Sequence, residues 1–149
     1  MMVTKKILKG LFVVLVLAFI FVNMLFLNVV LHEVGHYIAA DYYELKPEMK
    51  LDFSEIRNAG FNLKSIPLAS TSFIDNGNEG ELAVVALMGP FVNLLLGALF
   101  VFVFVFWREK GWFIGEIGLI GMVVSFGSFI MNMLPMNGVD GSLIFGVLF

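Results

Sequence analysis

From Leu11 to Leu31 the chain carries no charge, and the residues that follow are His32-Glu33-Val34-Gly35-His36. At about 1.5 Å per residue, a run of that length crosses a hydrocarbon core of about 30 Å. It predicts a transmembrane helix that ends in ionisable groups. Two more stretches have membrane length: Leu82 to Phe106, uncharged throughout, and Trp112 to about Leu134, with Glu116 as its only charge. In lipid a backbone must satisfy its own hydrogen bonds, so helices are expected throughout. This includes the Phe/Val alternation at 100–106, which in water would read as a strand. The chain has 149 residues, 60% hydrophobic and 14% charged, which is more apolar surface than one soluble core can hide. The expected fold class is an all-α integral membrane protein, multi-pass, in the lipid bilayer. About three core transmembrane helices, near 11–40, 82–106 and 112–134, form a single unit over 1–149.

Lys5, Lys6 and Lys9 precede the first run as they would in a signal peptide. That run exceeds the usual signal core of about 7–15 residues, and cleavage after Ala39-Ala40 would discard both histidines, so a retained span is expected. Between the first two spans lies a polar insert, 41–81, with Pro47, Pro67 and the turn-like Asp75-Asn76-Gly77-Asn78. Within it, Met49–Phe53 and Ile66–Ile74 are candidate strands of a β-hairpin. Such a hairpin could guide an extended peptide by strand addition; the plainer alternative is a solvated loop. Arg108 to Gly111 predict a tight turn, and 141–149 are apolar but too short to cross alone. The formal net charge of −3 argues against nucleic-acid binding. The absence of cysteine removes disulfides, thiolate metal sites and cysteine nucleophiles together.

Four residues on a helix make a little over one full turn, so His32 and His36 share a face, one above the other. Two neutral imidazoles so placed can take adjacent corners of a zinc tetrahedron. Glu33 lies about 100° round from His32, beside the metal's water rather than on the metal. There it can take a proton and deliver it to a leaving amine. A bare HExxH also arises by chance at a solvated helix end. Here the chain's two histidines are both in the motif, which follows directly on an uncharged membrane run. Gly35 stands where a helix would favour Ala, which predicts a close packing partner.

A catalytic zinc typically has three protein ligands and one open position. Glu116 and Asp140 are the candidates in or near apolar segments. If the first span ends at the histidines, the second crosses away and the third crosses back. Asp140 then returns to the histidine side, while Glu116 starts the third span on the opposite side, so Asp140 is the expected third ligand. Its segment, Asn132-Met133-Leu134-Pro135-Met136-Asn137-Gly138-Val139-Asp140-Gly141, breaks an apolar stretch. Irregular backbone at membrane depth is tolerated where it is buried in protein or lines a polar cavity. Without the histidines, Asp140 would read as a cap on the next helix. In the second span, Gly89-Pro90 and Asn93 fit either a loosened helix with an interhelical hydrogen bond or an active-site role.

Three segments, HEVGH at 32–36, GPFVN at 89–93 and NMLPMNGVDG at 132–141, together resemble the site-2 proteases, intramembrane zinc metalloproteases. Their pattern is HExGH, a GPxxN-type segment, then NxxP followed by DG. The resemblance covers roughly 26–145. It implies one Zn2+ per chain at His32, His36 and Asp140, Glu33 as catalytic base, and Asn93 and Asn132 in substrate binding or positioning. It also implies cleavage of a membrane-protein substrate in or near a transmembrane segment. This sequence departs from the pattern at Val139, where Leu is usual, and at Met136-Asn137-Gly138, where proline is frequent. The stretch after Asp140 is shorter than in relatives, so a short member is expected, either a minimal core or one whose fold a homo-oligomer or partner completes. The competing function is a non-catalytic membrane metalloprotein that binds partner helices. A di-iron bundle built on Glu33 and His36 would need a second Glu-x-x-His, and no third histidine exists.

Overall fold

The computed structural model describes residues 2–51, 69–136 and 139–148. Four helices and one short strand pair make up these residues: α1 (Met2–Tyr42), β1 (Glu48–Lys50), β2 (Ser70–Ser72), α2 (Glu79–Trp107), α3 (Trp112–Met133) and α4 (Asp140–Leu148). Three segments are long and apolar enough to cross a membrane: Ile7–Tyr42, Glu79–Lys110 and Trp112–Met133. The expected spans are therefore present, with the first two extended at their ends. Phe100 to Phe106 are helical, as the membrane argument requires.

Each helix end has a local cause. Past Tyr42 the chain takes left-handed backbone at Glu44 (φ 58) and Lys46 (φ 50), and Leu45 N–H donates to the Ala40 carbonyl at 2.9 Å. Left-handed non-glycine residues cost about 1–2 kcal/mol each. Burial of Leu45 against Ala39, Ala40 and Val85 offsets that cost. The Asp75-Asn76-Gly77-Asn78 turn is formed: Asp75 accepts from the Gly77 N–H at 2.7 Å, and Gly77 has φ 75. Asn78 then caps α2 by accepting from the Glu81 N–H, while its own amide donates to the Glu81 carboxylate at 2.8 Å. Arg108–Lys110 form one 3-10 turn that leads into α3.

The α2–α3 pair packs through glycines. Gly115, Gly118 and Gly121 recur every third residue on α3 and are buried. A Cβ on Gly118 would lie 2.8 Å from the Phe104 backbone nitrogen, and one on Gly121 would lie 2.5 Å from the Phe100 ring. In return, Gly97 of α2 receives the Phe126 ring, 2.7 Å from where a Cβ would stand. Lipid gives apolar side chains no reason to leave it, so close backbone approach through small residues supplies the packing.

The expected strands appear in shortened form, Glu48–Lys50 antiparallel to Ser70–Ser72, with Met49 opposite Thr71. Residues 52–68, which include the remainder of the first candidate strand, the start of the second and Pro67, lie outside the described residues. The strand pair sits against the HEVGH end of α1, where the Thr71 hydroxyl donates to the Glu33 carbonyl at 3.0 Å.

Candidate metal centre

The antiparallel pair α1–α2 sets the depth of each side chain. Tyr42 ends α1 and Glu79 begins α2 on the side that faces the insert. Counted from those two ends, Asn28 of α1 lies level with Asn93 of α2, His32 with Gly89, and His36 with Val85. The glycines allow the approach. A Cβ on Gly35 would come 2.6 Å from the Met88 carbonyl, which is the close packing partner that its place in the motif predicts. A Cβ on Gly89 would overlap His36 Nε2 and lie 2.7 Å from His32 Cε1, so both imidazoles rest on bare α2 backbone.

Three side chains converge at this level. The Nε2 atoms of His32 and His36 are 3.0 Å apart, Asp140 Oδ2 is 3.0 Å from His32 Nε2, and Asp140 Oδ1 is 3.2 Å from His36 Nε2. The two rings stand edge to face, 88° apart. Asp140 reaches them because α4 begins directly under the end of α3. A Cβ on Gly141 would collide with the Leu134 carbonyl and lie 2.7 Å from the Met133 carbonyl carbon. The Asp-Gly pair thus supplies a carboxylate and the room to place it. Burial pushes the Asp140 carboxyl up, but its contacts with His32 and His36 more than offset this and hold it at about 2. It is ionised at neutral pH, the state in which a carboxylate can bind a metal.

The far side of each ring is also held. His36 Nδ1 lies 2.7 Å from the Val85 carbonyl. A carbonyl only accepts, so Nδ1 carries a proton, and in the neutral ring this is the tautomer that leaves Nε2 able to bind a metal. Pro90 cannot donate to the Ala86 carbonyl, which loosens the α2 ladder at this turn. His32 Nδ1 lies 3.0 Å from the Asn93 amide. With the amide nitrogen toward the ring, His32 keeps its proton on Nε2 and donates to Asp140. A half-turn of the amide lets its oxygen accept from Nδ1–H and frees Nε2 for a metal. Asn93 therefore positions His32, while Asn132, in the last turn of α3, lines a cavity beside His32 and Glu33. Glu116 sits one turn into α3, at the opposite end from the cluster.

Glu33 borders two spaces. One, of about 230 Å³, is lined by Glu33, His36, Ser70, Thr71, Asp140 and Leu143, among others. The other, of about 160 Å³, is lined by Asn28, His32, Glu33, Asn93, Ser128 and Asn132, together with Val29. Among the described residues, the buried polar side chains are Asn28, His32, His36, Asn93 and Ser125. They form one connected neighbourhood, since Asn28 donates to Ser125 Oγ at 2.8 Å across α1 and α3.

Sequence reasoning missed the roles of Asn28, Ser125, Val85 and Thr71. Asn28 did carry a signal, as an amide inside an uncharged membrane run. The Val85 carbonyl carried none, since any residue has one.

The sequence model of peptidase family M50 matches residues 20–113, more than half of the chain. No curated protein and no solved structure matches the chain. The match includes His32 to His36 and Gly89 to Asn93 and stops before Asp140, so the place of Asp140 in the cluster is an independent geometric finding. With membrane-length helices, the histidine motif and the family match all in agreement, the chain is a multi-pass membrane protein belonging to peptidase family M50.

Proposed function

We propose that this protein is a zinc-dependent intramembrane endopeptidase that hydrolyses peptide bonds in or near transmembrane segments of other membrane proteins. One observation carries the reading. The Nε2 atoms of His32 and His36, 3.0 Å apart, each lie 3.0–3.2 Å from one of the two oxygens of Asp140, which comes from a distant segment of a family M50 chain. Tetrahedral zinc, with bonds of about 2.0–2.1 Å, sets its ligand atoms about 3.3 Å apart, a spacing close to that of the two imidazole nitrogens, and one atom from each residue falls within 4.8 Å of the others. Two imidazoles and a carboxylate are donors that zinc accepts, and they leave one position open. Bound there, zinc would polarise the scissile carbonyl and make water acidic enough to be deprotonated near neutral pH.

The chain's own groups do the rest. Glu33, bordering both cavities, takes the proton of the attacking water and delivers it to the leaving amine. The Val85 carbonyl holds His36 in the ligating tautomer, Asn93 does the same for His32 once its amide turns the oxygen to Nδ1, and Asn132 helps to position the reactants. Peptide bonds in a lipid-buried helix are hydrogen-bonded internally, so the substrate must unwind before it is cut. Ser70 and Thr71 of β2 line the larger cavity, which supports engagement of an extended substrate segment by strand addition.

The test is zinc analysis together with cleavage of a transmembrane substrate by the purified protein in detergent. Glu33→Gln is expected to keep zinc and lose about 10²–10⁴-fold in cleavage rate. Asp140→Asn is expected to lose zinc affinity. Activity that survives Glu33→Gln would sink the mechanism. Intact, metal-loaded protein that cleaves nothing would leave a metal-binding membrane protein instead.

A further inference from the structure

Four asparagines stand within the membrane-length runs. Asn28, Asn93 and Asn132 border the cavity beside His32, whereas Asn23 is exposed on the outer surface of α1. It lies two residues past Phe21, the midpoint of the uncharged run 11–31, so it faces hydrocarbon near mid-membrane. Its amide donates to the Phe19 carbonyl, one turn back, at 2.7 Å, and among the described residues that is its one side-chain hydrogen bond. The bond uses one N–H and leaves the second N–H and the Oδ1 lone pairs to be met. No water reaches that depth to take them, and a polar group left unmet in hydrocarbon is costly. Nine residues separate Asn23 from His32, which at about 100° per residue sets them on opposite sides of α1.

Asn23 belongs to a stripe with coiled-coil spacing. Phe12, Val16, Phe19 and Asn23, spaced four, three and four, fall within about 60° of arc. Phe12 and Phe19 are 66% and 70% exposed. We propose that this face of α1 packs against the same face of a second copy of the chain in a parallel membrane dimer, with Asn23 hydrogen-bonded to the partner's Asn23. The chemistry selects a second copy. An amide carries donor and acceptor together, so a twofold pair of asparagines exchanges N–H···Oδ1 bonds in both directions. Copies inserted the same way also hold their Asn23 side chains at one depth, whereas another protein's helix must bring a polar group to that level. Where lipid removes the hydrophobic drive, such bonds between helices, with close packing, are what hold helices together. The face is opposite His32, so dimerisation does not cover the metal centre. The inference rests on the membrane assignment and is independent of the peptidase reading.

The chain has no cysteine, so single thiols report cleanly. Copies carrying Gly10→Cys, where nothing lies within 4 Å of a new Cβ, would be labelled with donor or acceptor dyes. Energy transfer would then be followed in lipid vesicles as added lipid dilutes the protein. Transfer is expected to report a dimer, weakened about tenfold in Asn23→Leu and retained in Asn23→Gln, which keeps the amide. In unlabelled protein, oxidation is expected to cross-link Phe19→Cys, one turn from Asn23 on the same face, and not Leu25→Cys, on the far side of α1. A thermal melt verifies that each variant is folded. Equal dimer affinity in Asn23→Leu, or a cross-link at Leu25→Cys in place of Phe19→Cys, would overturn the proposal. So would a monomer at every dilution, which would leave the face to lipid or to a different protein.

Discussion

Gly89→Ala offers a sharp test of how the cluster is built. The added methyl would overlap His36 Nε2, lie 2.5 Å from His36 Cε1 and lie 2.7 Å from His32 Cε1. Carbon atoms pack at about 3.5–4.0 Å, so both rings must withdraw by about 1 Å. Zinc ligands tolerate displacements of about 0.2 Å. The expected loss is therefore on the order of 100-fold in zinc affinity, or about 2.7 kcal/mol. The helix itself gains from the change, because Ala is favoured over Gly by about 1 kcal/mol in a helix interior. Secondary structure should be retained while metal binding falls. Zinc affinity would be read by competition with a fluorescent chelator in detergent. Gly127→Ala, where nothing lies within 4 Å of the new methyl, serves as the matched change and should leave affinity unaltered. If Gly89→Ala bound zinc as tightly as the wild type, the rings would not rest on α2 and the argument for the cradle would fail.

Asn93→Asp keeps an acceptor for His32 Nδ1–H and should retain zinc, whereas Asn93→Leu should lose about 10–100-fold in metal affinity, measured by the same competition. Equal losses in both would show that Asn93 does not set the tautomer. Thr71→Val removes the hydroxyl that donates to the Glu33 carbonyl. Zinc content should be unchanged while substrate cleavage weakens mainly through KM; a fall in kcat alone would count against a substrate-side role for β2. Gly118→Val drives a side chain into the Phe104 backbone and should destabilise the α2–α3 pair by about 1–3 kcal/mol. A thermal melt indistinguishable from that of Gly10→Ala, which meets nothing within 4 Å, would refute the socket packing.

Much of the site was legible in the sequence. Charge-free runs marked the spans, and the helical repeat put His32 beside His36. Counting crossings returned Asp140 to the same end and left Glu116 at the other. Gly35 announced a close neighbour and has one in the Met88 carbonyl. What could not be read is how the helices face each other. In water, an apolar stripe identifies the buried face; in lipid, both faces are apolar and the stripe disappears. Facing is set here by glycine sockets and rings, such as Gly121 with Phe100, which show only once two helices are side by side. For the same reason Asn28 was visible as a polar residue within a span, but its partner Ser125, far along the chain, was not.

The antiparallel register of α1 and α2 has a further consequence. His36 and Val85, level with each other, and His32 and Gly89, one turn deeper, place the chemistry ~9–15 Å along the bundle from the insert-facing ends. In a peptidase that distance acts as a ruler. A substrate entering from the insert side delivers to Glu33 a bond roughly 6–10 residues beyond the level of these helix ends if helical, and fewer once unwound, because extended chain covers about 3.3 Å per residue. The position of the cut would then be chosen by depth, and the side chains around the bond would matter chiefly for how readily the helix lets go.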